Sequence, residues 1–299
     1  MNILIIIQGA ILAFSGYLGF EFVKDYRKNK ETDYSNKKFY GNLVVGFVTN
    51  FFDTLGIGSF APTMSVFKLF GLCKDRLIPG TLNVGDSLPV ALEALIFITV
   101  IEVDPITLVT MLIAGILGAY VGVGIVSKLP EKKIQLGMGA ALIIAASFML
   151  AGKFGIMPGG GEAIGLTGWK LVVAVICNFI FGSLLPLGIG NYAPCMALIY
   201  ALGMSPRVAF PIMMSSGTFV LAVAGIRFVK EGAYERKTAM AISLAGLVGV
   251  LIAAYIVKSL PLDILQWVVI CVVIYTAVMM LKSALKPIEA FDKANQAVQ

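Results

Sequence analysis

Seven apolar runs of about 18 residues or more, near residues 3–22, 78–101, 105–127, 134–151, 208–228, 238–257 and 264–282, constrain this chain more than any other feature. As a helix, each rises about 27 Å or more, close to the roughly 30 Å of hydrocarbon in a bilayer. With 59% hydrophobic and 13% charged residues, the 299-residue chain has too little polar surface for a water-soluble domain of its size. An all-α integral membrane protein is expected. The first run has no basic residue ahead of it and no small-x-small cleavage site behind it, so it reads as a retained helix. The net charge of +6 sits in short loops between apolar runs, the pattern of cytoplasmic loops rather than of a nucleic-acid surface. Four widely spaced cysteines without a C-x-x-C pair, and no histidine, speak against a disulfide framework, a structural zinc site and a His-ligated metal centre. No cofactor is expected, and a proton relay would have to run on carboxylates.

The chain also repeats itself. LGIGSFAP at 55–62 returns as LGIGNYAP at 187–194, an offset of 132 residues that also pairs Met64 with Met196, Gly71 with Gly203, Pro79 with Pro211 and Gly85 with Gly217. After a one-residue slip, AGILG at 114–118 matches AGLVG at 245–249, and the Leu-Pro pairs 129/130 and 260/261 coincide. The expected organisation is an N-terminal transmembrane helix with a basic cytoplasmic loop (1–40), repeat 1 (41–152), a Gly-rich linker (153–167), repeat 2 (168–285) and a cytoplasmic tail (286–299).

Each repeat opens with an apolar segment broken by the Gly/Pro motif and continues with three uninterrupted spans. The halves near 42–54 and 60–72 reach only about 20 Å each, so the segment either crosses once as a kinked helix or enters and returns as a re-entrant hairpin. Loop charge favours the hairpin. With both segments re-entrant and the N-terminus outside, every Lys and Arg except Lys153, Lys170, Arg207 and Lys258 falls on the cytoplasmic side. With both segments crossing, the basic groups at 68–76 and 128–133 move outside and the asymmetry weakens. Three crossings per repeat make the second copy insert upside down, which gives inverted repeats suited to alternating access.

Backbone that leaves the helix at membrane depth must be buried or line a watery cavity. Gly56, Gly58, Gly188 and Gly190 permit tight turns and close approach to a ligand, and Pro62 and Pro194 fit the first turns of the helices that follow. Those helices aim free N–H groups at the protein centre, where a small anion fits, with Ser59, Phe60, Asn191 and Tyr192 at the helix starts and Cys195 just inside. Asn83, Ser215 and Ser216 flank the same cavity in this reading. Buried carboxylates are costly in hydrocarbon and are functional candidates by default. Asp86 and Asp53 are the coupling candidates, with proton or sodium as the coupling ion. Glu93 reads as an interhelical partner.

The two glycine/proline motifs, each opening a four-segment unit, and VGDSLP at 84–89 resemble the TauE/SafE family of bacterial membrane proteins. The resemblance covers about 41–285 and implies a permease or exporter for sulfite, sulfonates or related sulfur-containing or organic anions in a bacterial inner membrane. Two other classes fit the residues less well. An intramembrane aspartyl protease would place Asp86 opposite Asp53, but Asn83-Val84-Gly85-Asp86 lacks the first glycine of Gly-x-Gly-Asp. A non-transporting membrane subunit would have no use for two apposed, ligand-ready helix breaks.

Overall fold

The structure, a computed structural model, describes residues 2–29, 35–56, 58–74, 77–126, 131–154, 161–184, 192–259 and 261–285. Its described residues form helices α1 (Asn2–Lys28), α2 (Asn36–Thr54), α3 (Phe60–Phe70), α4 (Ile78–Gly85), α5 (Ser87–Val100), α6 (Pro105–Val126), α7 (Glu131–Lys153), α8 (Gly168–Leu184), α9 (Tyr192–Ala201), α10 (Ala209–Glu231), α11 (Arg236–Ser259) and α12 (Leu262–Leu285). A single 3-10 turn, Pro206–Val208, leads into α10. Among the described residues there is no strand, only one isolated parallel bridge between Ala163 and Met204. Among the described residues, four stretches are long and apolar enough to cross a membrane: Leu4–Lys28, Ile78–Val100, Pro206–Glu231 and Arg236–Val257. Helices α6, α7 and α12 have 22, 23 and 24 residues, and so rise about 33–36 Å. Large apolar side chains such as Ile6 and Phe20 on α1 and Leu251 and Tyr255 on α11 stay exposed, as lipid-facing residues do.

Two features differ from the sequence expectation. Helix α2 starts at Asn36 and spans 19 residues, so part of the basic stretch assigned to a loop is helical. Its first turns are fastened to the connection between α10 and α11: Lys38 Nζ lies 3.0 Å from Glu235 Oε2 and Asn42 Nδ2 donates to Thr238 Oγ1 at 3.1 Å. The span after α3, expected to be uninterrupted, breaks at Asp86 between α4 and α5. Pro89 is the cause, because it has no N–H to give to the carbonyl of Gly85 and its ring crowds that carbonyl. Ser243 on α11 supplies the missing donor, with Oγ 2.7 Å from Gly85 O.

Interhelical contacts recur at the spacing of the sequence repeat. Helix α2 lies along α11, and its counterpart α8 lies along α6, the counterpart of α11. The glycines of the matched AGILG and AGLVG segments explain how close these pairs come. A Cβ on Gly118 would sit 1.9 Å from Phe179 O, and a Cβ on Gly249 would sit 2.5 Å from Phe47 O; Phe47 and Phe179 are themselves 132 residues apart. Backbones approach this closely in membranes only where side chains are absent. The connections repeat as well. Thr107 Oγ1 donates to Asp104 Oδ2 at 2.8 Å, and Thr238 Oγ1 donates to Glu235 Oε2 at 2.8 Å.

Helix α7 packs on α12, α5 on α10, and α1 covers α5 and α10. The main apolar core runs from α5 and α6 through α9 and α10 to α12, with Phe97 and Phe210 in ring contact at its centre (centroids 5.0 Å apart). At one end, residues 161–166 of the linker are held by Asp104 N donating to Ile164 O and Ser205 N donating to Ala163 O, both at 2.9 Å.

Candidate functional site

Helix α2 carries Asn50, Asp53 and Thr54, the break between α4 and α5 carries Asp86, and α5 carries Glu93 two turns further on. Spacings of three, four and seven residues put each set on one helical face. The break at Asp86 and the crossing of α2 and α5 bring the two sets together. Asp53, Asp86 and Glu93 are 2%, 0% and 0% exposed, and Asn50 is 0% exposed. Asn50 Nδ2 donates to Asp86 Oδ1 at 3.0 Å and to Gly46 O at 3.0 Å. Thr54 Oγ1 lies 2.7 Å from Glu93 Oε1 and 2.9 Å from Asn50 O.

One oxygen of each acid remains without a partner: Asp53 Oδ2, Asp86 Oδ2 and Glu93 Oε2, together with Asn50 Oδ1. The ion pairs of the described residues, Lys38–Glu235, Lys153–Asp263, Arg227–Glu231 and Arg236–Asp25, include none of the three. A buried carboxylate without a cation costs several kcal/mol. Neutralising these carboxylates would therefore relieve much of that cost.

The first helix break and the start of α9 lie beside this cluster. Ser59, at the N-terminal cap of α3, has no side-chain bond to its own helix and lies close to Asp53 and Asp86. The α3 N-terminus thus meets the chain's own carboxylate. Gly56 and Gly58 have φ of +92° and +89°, in the region that glycine alone enters freely. A Cβ on Gly56 would lie 2.0 Å from Met196 Cε of α9, which places the first break directly against the second short helix; a Cβ on Gly58 would meet nothing within 4 Å. Tyr192, the first residue of α9, is buried and lies within the electrostatic reach of Asp53, Glu93 and Asp86. Its hydroxyl is near Gly217 of α10.

The remaining sequence candidates fall elsewhere. Phe60 packs half-buried on the small core around Phe67 and Leu82. Asn83 Nδ2 donates back to Pro79 O at 2.8 Å. Cys195 is fully buried in the main apolar core. Ser215 donates to Pro211 O within its own helix, while Ser216 lies against Gly115 of α6, near Asn178. Gly188, Gly190 and Asn191 lie outside the described residues. Sequence reasoning missed Asn50 and Thr54 as members of the cluster and set Glu93 aside. The signal for Glu93 was its spacing of seven from Asp86.

Long apolar helices wrapped around a buried polar cluster define a multi-pass helical membrane protein. The chain matches the family model described as sulfite exporter TauE/SafE over residues 2–149 and 169–298, and it belongs to that family. No curated protein and no solved structure matches it. The family consists of transporters, and a sulfite or related anion exporter is the function that membership implies.

Proposed function

We propose that this protein is a secondary transporter that moves a small anion by alternating access between two inverted repeats, 41–152 and 168–285. Sulfite, a sulfonate or a related sulfur-containing or organic anion is the substrate class. In this reading α2–α3 and α8–α9 are re-entrant hairpins. The three crossings that follow each hairpin invert the second copy, so the N-terminus is outside and the C-terminus cytoplasmic in a bacterial inner membrane. The anion is held between the hairpin tips, by Gly56, Gly58 and Ser59 on one side and Gly188, Gly190, Asn191 and Tyr192 on the other.

The observation that supports this reading most is the approach of the first break to α9, with Gly56 against Met196 and Tyr192 within the electrostatic reach of the carboxylates. The carboxylates also supply coupling. An anion enters a site beside three acids only when those acids are neutralised, so uptake of a proton or sodium ion at Asp86 and Asp53 and uptake of the anion favour each other. The test is sulfite flux in proteoliposomes containing the purified protein alone. Saturable, protein-dependent flux of sulfite or of a competing sulfonate is expected. Vesicles no more permeable than protein-free ones would overturn the proposal.

A further inference from the structure

We propose that Glu93 binds an exchangeable proton of its own, separate from the positive charge taken up by Asp53 and Asp86. This deepens the transport reading above and rests on it for the role of Asp53 and Asp86, though not for the Glu93 proton itself.

The argument is a count of hydrogens. Thr54 has one hydroxyl hydrogen and stands within bonding distance of two acceptors, Asn50 O at 2.9 Å and Glu93 Oε1 at 2.7 Å. If Glu93 is ionised, both neighbours are pure acceptors and only one bond is made. If Glu93 carries a proton, its O–H donates to Thr54 Oγ1, Thr54 donates to Asn50 O, and both short contacts are satisfied.

Charge gives the same answer. Facing Glu93 are Asn50, Asp53 and Thr54 from α2, Asp86 from the α4–α5 break and Tyr192 from α9; none is basic. Of the three acids, Asp86 accepts from the Asn50 amide and Glu93 has Thr54 beside it, while Asp53 lies close to Ser59. A carboxylate beside two others, with one shared hydroxyl as its only donor, is costly to keep charged in a dry interior. Independently of the acids, the Asn50 amide reaches into the cluster with its Oδ1 buried and unpartnered.

Infrared spectroscopy reads the proton directly, through the C=O stretch of a protonated carboxyl. The purified protein in lipid is titrated from acid to alkaline pH after growth with carboxyl-13C glutamate, so that glutamic and aspartic acid bands separate without any mutation. A glutamic acid band is expected that vanishes on alkalinisation, is lost in Glu93→Gln, is retained in Asp86→Asn, and shifts in Thr54→Val as its hydrogen-bond partner is removed. Absence of a labelled acid band in the unmutated protein would overturn the proposal, as would a band that persists in Glu93→Gln. The same preparations assayed for sulfite flux keep the two ideas apart: a labelled band without flux leaves the Glu93 proton standing and removes the transport reading.

Discussion

The bond between Ser243 and Gly85 makes a quantitative case for why the helix breaks at Asp86. Pro89 leaves the carbonyl of Gly85 without its helical donor, and Ser243 Oγ fills the gap at 2.7 Å with both residues buried. Ser243→Ala strands a buried acceptor and is expected to cost about 1–3 kcal/mol of stability. Restoring the helical donor should remove most of that cost. In a Pro89→Ala background, residue 89 regains an N–H, the α-helical bond to Gly85 O can close, and the serine becomes dispensable. Pro89 also packs on α11, where a Cβ on Gly246 would lie 2.8 Å from its ring, so Pro89→Ala carries a packing cost of its own. A double-mutant cycle cancels that cost and isolates the coupling, expected at about 1–2 kcal/mol. Unfolding free energies of the four proteins in one detergent, with monodispersity checked, provide the measurement. Equal costs of Ser243→Ala in the two backgrounds would refute the account of the break.

Three further outcomes are expected. Gly118→Ala pushes a methyl group to 1.9 Å from Phe179 O and Gly249→Ala to 2.5 Å from Phe47 O, so both should destabilise by about 1–3 kcal/mol, Gly118→Ala more strongly; a thermal melt that leaves either unchanged would show that these crossings are looser than described. Gly58→Val forces a β-branched residue to a φ of +89° and fills the open space beside the cluster, so sulfite affinity of well-folded protein should fall about tenfold or more, equivalent to about 1.4 kcal/mol; unaltered affinity would remove this loop from the anion site. Single cysteines introduced as Ser35→Cys and Gly160→Cys into a cysteine-free protein should react with an impermeant thiol reagent from opposite faces of the membrane, and labelling of both from one face would sink the inverted arrangement.

The features that the sequence announces are those with a local signature. Apolar runs, the paired LGIGS and LGIGN motifs and the matched AGILG and AGLVG segments are contiguous, and the helices and close crossings are found where they point. What the sequence hid depends on contacts between remote segments. Helix α2 reaches back to Asn36 because Lys38 and Asn42 find partners near residue 235, which no local pattern encodes. VGDSLP contains the proline that breaks the span, yet the break is tolerable only because Ser243 arrives from another helix. Glu93 is the interhelical partner that the sequence suggests, bonded to Thr54 of α2, but its place beside Asp53 and Asp86 is set by the crossing of α2 and α5, which no local pattern encodes. The linker read as Gly-rich connection, and its residues 161–166 instead bond in sequence to the connections at 104 and 205. The helix N-termini were read as anion sites, and at α3 the structure sets Asp53 against that terminus.

If the buried carboxylates link anion movement to a cation gradient, Asp86→Asn should break that link. The amide keeps the shape and the contact with Asn50 but cannot exchange a proton near neutral pH. In proteoliposomes, the parent should accumulate sulfite against its gradient when a pH difference or sodium gradient is imposed, whereas Asp86→Asn should still exchange internal for external sulfite and fail to accumulate it. Accumulation by Asp86→Asn at the parent's rate and extent would contradict the account.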